Sequence, residues 1–193
     1  MSKGNSTKNR IIEAAQRLMW ENNYGSTSVD KICAEADVRK GSFYYYFRSK
    51  EDLALDVLED QWQFAKKQLL GPSFSNKKQT RKQFNLFFQK LSDQYKLSQR
   101  VKGTMYGCPF GNFGGEMASG DAAIRDKLDD IFNGFHIYFR DSLEKIYDDE
   151  EQAMQVADEL LTYFEGMLLL SKIRDDAKII KQMTPGALKL ISD

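Results

Sequence analysis

Ala36-Asp37-Val38-Arg39-Lys40-Gly41-Ser42-Phe43-Tyr44-Tyr45-Tyr46-Phe47-Arg48-Ser49-Lys50-Glu51-Asp52-Leu53 is the stretch on which the fold turns. Its centre predicts a short helix from about Arg39 to Phe47, with Phe43 and Phe47 four residues apart on the inner face. The opposite face carries Arg39, Lys40, Gly41, Ser42, Tyr44 and Tyr45. Asp37-Val38 makes a tight turn before it, since Asp tolerates the left-handed backbone such a turn needs. Ser49 opens the next helix, with Glu51 and Asp52 in a first turn whose dipole favours acids. Upstream, Thr27 or Ser28 caps a second short helix reaching about Ala36, which buries Val29, Ile32 and Cys33. Before that comes a helix capped by Ser6 or Thr7 and running to about Asn22, with Ile11, Ile12, Ala15, Leu18 and Met19 at helical spacing. Asn22-Asn23-Tyr24-Gly25 stops it, with Gly25 or Asn23 in the left-handed cap.

A tight turn between two short helices, backed by a third, is a helix-turn-helix. The exposed face of the second short helix then enters a major groove. Lys40 and Arg39 meet phosphate or guanine acceptors, Gly41 permits close backbone approach, and Ser42 is a small donor and acceptor. The hydroxyls of Tyr44 and Tyr45 reach phosphates while their rings pack on sugars or thymine methyls. Thr27 and Ser28 offer hydroxyls and helix-start N–H groups to a phosphate, and Lys50 is placed for another.

The same run resembles the DNA-binding signature of the TetR family, A-G-V-S-K-G-T-L-Y-Y-H-F-K-N-K-E-E-L. Ile11-Ile12-Glu13-Ala14-Ala15 and Gly25 to Ile32 extend the likeness to roughly 45 residues. The resemblance implies DNA contacts from Thr27, Lys40, Gly41, Tyr44, Tyr45, Tyr46 and Lys50. Three departures bear on the operator sequence: Asp37 for Gly, Arg39 for a small polar residue, and Tyr46 for His, which removes any pH dependence from that contact.

Charge distribution agrees. Residues 1–50 hold nine Lys/Arg and five Asp/Glu, net +4, and residues 51–193 hold 19 and 23, net −4. A basic head on an acidic body presents one end to phosphates. The expected fold is all-α: an N-terminal helix-turn-helix three-helix head (1–55) and a C-terminal helical ligand-binding and dimerisation domain (56–193).

The fourth helix is expected to run to about Leu69, and Gly71-Pro72-Ser73-Phe74-Ser75-Asn76 is the clearest break. Helices follow near 77–98, 121–147 and 150–174, and Pro185-Gly186 is expected to kink or split a last amphipathic segment, 176–191. Residues 153–171 are too apolar for a helix buried on one side only, and Gly166 permits close helix approach. With the resemblance, which implies a homodimer through the last two long helices, this points to a four-helix dimer interface; the alternative is that the helix is the monomer's central core.

Gly107 to Ala118 resembles a G-C-x-x-G-N-x-x-x-E string of a subset of TetR-like regulators. Asn112 and Glu116, four apart, share a helix face if Pro109 starts a short helix. The functional reading has this segment couple an effector pocket to the head; the plainer one has glycines that allow tight packing and Asn112 as a cap. Cys108 is a candidate sensor of electrophiles or oxidants, provided its thiol is accessible and of low pKa. Phe84, Phe87, Phe88, Tyr106, Phe110, Phe132, Phe135, Phe139 and Tyr163 are candidate pocket aromatics, with Cys108, Asn112 and His136 beside them. They favour a small apolar or aromatic effector over a phosphorylated one, though such a stripe also makes plain core.

Enzyme motifs such as G-x-S-x-G, a P-loop or H-E-x-x-H do not occur, so no catalytic residue is assigned. One histidine excludes a multi-histidine metal site, and no cofactor is expected. Two cysteines make no disulfide framework, and no apolar run reaches 18 residues, so the protein is read as cytoplasmic with reduced thiols and without a membrane span. The expected function is a ligand-responsive homodimeric repressor acting on a double-stranded DNA operator. The alternatives are a thiol sensor acting through Cys108, or a helical interaction module without DNA binding.

Overall fold

A computed structural model describes residues 3–75, 79–116 and 121–191; of the segments quoted above, Asn76, Met117 and Ala118 lie outside them. The described secondary structure is helical, as expected. Its elements are α1 (Lys3–Asn22), α2 (Val29–Glu35), α3 (Lys40–Tyr46), α4 (Lys50–Ala65), α5 (Gly71–Phe74), α6 (Thr80–Lys102), α7 (Pro109–Glu116), α8 (Ala122–Leu143), α9 (Glu150–Ile173) and α10 (Lys178–Lys189).

The chain forms two compact units, residues 1–62 with 109–129, and residues 63–108 with 130–193. The unit holding the head runs to Trp62 and includes α7, which is distant in sequence. In the first unit, Ile11, Ala15 and Met19 of α1, Ile32 and Cys33 of α2, Phe43 and Phe47 around α3, and Leu53, Val57 and Leu58 of α4 are buried together as a small core. Burying each large side chain of this kind stabilises by roughly 1.5–3 kcal/mol.

Several helix ends differ from expectation. α1 begins at Lys3, so Ser6 and Thr7 lie inside it rather than capping it. Gly71-Pro72 does not break the chain. A π turn, Lys66–Leu70, carries α4 on into α5, with Pro72 in the first turn of α5. α10 is likewise one helix with Pro185 inside it. Gly186 lies directly against the Tyr163 hydroxyl, which donates to the Met183 carbonyl at 3.1 Å, so a Cβ at 186 would overlap that oxygen. The helix is not split there, and the glycine after the proline leaves room for a close approach of α9.

In the second unit the core is aromatic. Phe84 and Phe87 of α6, Phe139 of α8 and Phe74 of α5 meet with ring centroids 5.2–5.8 Å apart, and Phe164 of α9 joins through Phe87 at 5.6 Å and Phe135 at 5.5 Å. Beside this core, the Thr80 hydroxyl donates to the Ser142 carbonyl and the Ser142 hydroxyl donates to Gln83 Oε1, so these three buried side chains are paired.

Candidate nucleic-acid interface

The turn between α2 and α3 begins at Ala36, where the backbone is still helical, and reverses at Asp37, whose φ is +51°. Asp accepts this left-handed conformation where a β-branched residue would be strained, so the departure from glycine costs the motif little. Ser28 caps α2 by accepting the Lys31 N–H at 3.2 Å. Arg39, extended at φ −81° and ψ 152°, starts α3 without a side-chain cap, leaving its guanidinium outside the helix. Phe43 and Phe47 are buried, as expected, and Phe43 packs edge-on against Tyr44.

The opposite face of α3 points to solvent. Arg39, Lys40 and Gly41 are exposed, Ser42 and Tyr46 are half-buried, and Tyr44 and Tyr45 are 55% and 80% exposed. No heavy atom lies within 4 Å of where a Gly41 Cβ would stand, so the backbone there is open to close approach. Two large aromatics held out in water beside cations have a poor environment unless a partner covers them. Lys40 is not free. Its ammonium meets the Asp30 carboxylate of α2 at 2.7 Å, a hydrogen bond that raises its pKa. The same carboxylate repels any phosphate Lys40 approaches.

Two expected contacts sit differently from the rest. Thr27 is 1% exposed, and its hydroxyl donates to the Asn23 carbonyl at 2.7 Å, which fastens the turn before α2. Lys50 is half-buried, donates to the Tyr24 carbonyl at 3.0 Å and lies over the Tyr24 ring at 4.1 Å; its burial lowers its pKa. Both hold the α1–α2 turn, where Asn23 takes the left-handed cap with φ +89°.

That turn is gripped from a second side by α7. Glu116 accepts the Tyr24 N–H at 3.1 Å through Oε1 and the Gly25 N–H at 2.8 Å through Oε2, and Phe113 packs on the Tyr24 ring at 5.7 Å. Pro109 does start a short helix, and Asn112 and Glu116 share one face of it, lining a cleft of about 10 Å³ that has room for no more than a single water. Asn112 lies inside α7 and so does not cap it. Hydrogen bonds to a charged carboxylate each contribute about 1.5–3 kcal/mol, less at this partly exposed site. Glu116→Ala is therefore expected to destabilise the first unit by about 1–3 kcal/mol, read as a shift in urea midpoint with unchanged slope. Glu116→Gln, which can still accept one N–H, is expected to lose about half as much.

The candidate pocket residues divide between the units. Phe84, Phe87, Phe88, Phe135 and Phe139 come together as the buried aromatic core of the second unit, whereas Phe110 and Asn112 belong to the first. Phe132 is half-buried on α8; His136 Nε2 is 3.3 Å from Asp158 of α9; the Tyr106 ring lies 5.3 Å from the Lys102 ammonium; and Tyr163 is engaged with α10. Cys108 is 6% exposed and its thiol donates to the Glu165 carboxyl. Glu165 itself was missed in the sequence, although a single carboxylate inside Leu160–Leu170 is a visible signal. Burial pushes its carboxyl up to about 7, while the hydrogen bond from Cys108 pulls the other way.

A small helical core that holds a basic, tyrosine-rich helix outward behind a tight turn defines a helix-turn-helix DNA-binding regulator. The chain belongs to the TetR family. The model of bacterial regulatory proteins of the tetR family matches residues 11–57, and that of the LmrA/YxaF-like transcriptional regulator C-terminal domain matches residues 81–184. It is similar to an HTH-type transcriptional regulator in the lacX 3′ region of Lactococcus lactis subsp. lactis, with 28% identity over 91% of this chain and 88% of that one. It is also similar to the HTH-type transcriptional regulator LmrA of Bacillus subtilis, with 24% identity over 89% and 88%. Among solved structures, reduced NemR of E. coli superposes with a TM-score of 0.84 at 22% identity, covering 97% of each chain. The protein is thus a DNA-binding transcriptional regulator, and its family is one of regulators rather than enzymes. Among the described residues, no helix is long and apolar enough to cross a membrane.

Proposed function

We propose that the protein is a cytoplasmic homodimeric repressor that reads a two-fold operator through α3 and is released by a small apolar or aromatic effector. The observation that carries the DNA reading is the outward face of α3: Arg39, Lys40, Gly41, Ser42, Tyr44 and Tyr45, with Tyr46 at its edge and the Ser28 cap beside it. Thr27 and Lys50 serve by fixing the α1–α2 turn.

Support for the dimer lies in α9. One face of it, from Ala153 through Leu160 and Phe164 to Leu168, is buried in the chain's own core, while Leu169 and Ile173 are 57% and 70% exposed and Met154, Leu170 and Met183 of α10 are also bare. Gly166 has open space where a Cβ would stand, which suits close approach of a second helix. Two heads on one dimer read half-sites a helical turn or a multiple of it apart. An effector seated among the aromatics of the second unit would bias the head separation and lower operator affinity.

The test is a mobility-shift titration on the DNA upstream of the protein's own gene at several salt concentrations. A specific, salt-sensitive shift is expected. Lys40→Ala is expected to weaken it by about tenfold and to reduce the salt slope by about one per head, with the dimer intact by sedimentation. Wild-type affinity in Lys40→Ala would remove α3 as the reading helix, and no shift by folded wild-type protein would leave a helical interaction module.

A further inference from the structure

A groove of about 570 Å³ runs between α6 and α10 and borders the aromatic core at Phe88. One wall is a single face of α6, from Arg81 through Phe88 and Ser92 to Lys96; the other is the Lys181, Pro185, Leu188 and Lys189 face of α10. The volume falls within the range of small-molecule sites, roughly 300–1,000 Å³.

Its charge runs against that of its surroundings. Residues 51–193 carry an excess of acid, yet four cations, Arg81, Lys96, Lys181 and Lys189, face this groove against one carboxylate, Asp93. Lys96, Lys181 and Lys189 make no ion pair among the described residues, so their charges remain available to a ligand. Arg81 is anchored by donating from Nη1 to the Ile191 carbonyl at 3.1 Å. The floor is apolar, with Phe88 fully buried and Leu188 and Pro185 beside it. In that floor Ser92 is 3% exposed and its Oγ has no hydrogen-bond partner. A ligand oxygen in the groove would give that buried hydroxyl the partner it lacks.

We propose that the α6–α10 groove binds a small amphiphilic organic anion, its acidic head held by the Lys181, Lys189 and Lys96 ammonium groups with the Ser92 hydroxyl beside them, and its apolar body laid on Pro185 and Leu188. Cations on the rim supply attraction and the apolar floor supplies burial; neither a bare inorganic anion nor a neutral hydrocarbon uses both. Such binding is independent of whether the aromatic interior holds an effector.

Dodecanoate, below its micelle concentration, is the probe. Calorimetric titration into the full chain is expected to give saturable binding of one molecule per chain. The double variant Lys181→Glu/Lys189→Glu changes two exposed side chains, so its circular dichroism and melting should match wild type while its affinity falls at least tenfold. Inorganic phosphate should not compete at equal concentration. Labelling with a diazirine analogue of dodecanoic acid should mark peptides from 81–96 and 178–189. Equal affinity in the charge-reversed variant, binding of many molecules per chain, no binding to wild type, or labels confined to α8 and α9 would each overturn the assignment. Operator release plays no part in these readouts, so their failure leaves the effector reading untouched, and the reverse.

Discussion

Glutamate at both Leu169 and Ile173 is expected to turn the proposed homodimer into monomers and to weaken operator binding by roughly 10²–10⁴-fold. The magnitude follows from linkage: once one head is bound, a tethered second head binds its half-site at an effective concentration that a free monomer does not have. Both side chains are more than half exposed in the single chain, so the charges cost the monomer fold little, whereas facing carboxylates across a two-fold axis repel and lose water together. Sedimentation should show a single-chain species with unchanged helical content. A dimer that survives both substitutions, or an operator affinity within threefold of wild type, would move the interface away from this face of α9. Lys40→Ala provides the contrast, since it weakens DNA binding and leaves assembly alone.

Glu165→Gln is expected to stabilise the protein by up to about 3 kcal/mol at pH 8 and to change almost nothing at pH 4. Burial raises the folded-state pKa of this carboxyl from 4.5 to about 7. Below pH 4.5 both folded and unfolded chains hold the proton, and the group contributes no pH dependence. Between 4.5 and 7 the unfolded chain releases the proton while the folded chain keeps it, so stability falls as pH rises. Above 7 both are ionised and the penalty is complete, at about 1.4 kcal/mol for each unit between the two values. Glutamine keeps an acceptor for the Cys108 thiol and removes the ionisation. Urea midpoints measured from pH 4 to 8 should therefore slope downward in wild type and flatten in the variant. Parallel curves would mean that water reaches Glu165 and that its neighbour Cys108 is less secluded than its burial indicates. Oε1 of Glu165 has no hydrogen-bond partner, in keeping with a carboxyl that holds its proton near neutrality.

Much of the head was legible because its information is local. Phe43 and Phe47 repeat at helical spacing, Asp37 and Asn23 are residues that tolerate positive φ, and Ser28 precedes an apolar-periodic run; each is settled within a few residues, and each stands in the structure as expected. Gly71-Pro72 misled as a break, and Pro185-Gly186 as a split, for the same reason. Proline and glycine signal breaks only on average. Here the one sits in a helix's first turn and the other leaves room for Tyr163, a partner that is 23 residues away. Thr27 and Lys50 carry the right chemistry for phosphate, yet the structure turns Thr27 toward Asn23 and Lys50 toward Tyr24.

The sequence by itself determined an all-helical chain with a helix-turn-helix head, its cationic tyrosine-rich outer face and an unusually apolar α9, because periodicity, caps and turn residues act over distances of one or two helical turns. Only the tertiary structure decided that Glu116, 91 residues from Gly25, grips the α1–α2 turn, that Cys108 faces a protonatable Glu165, and that Arg81, Lys96, Lys181 and Lys189 gather around one groove. Those outcomes depend on which helix faces pack together. Packing is set by the summed fit of many side chains distant in sequence, each worth little alone, so no single segment of the chain announces it.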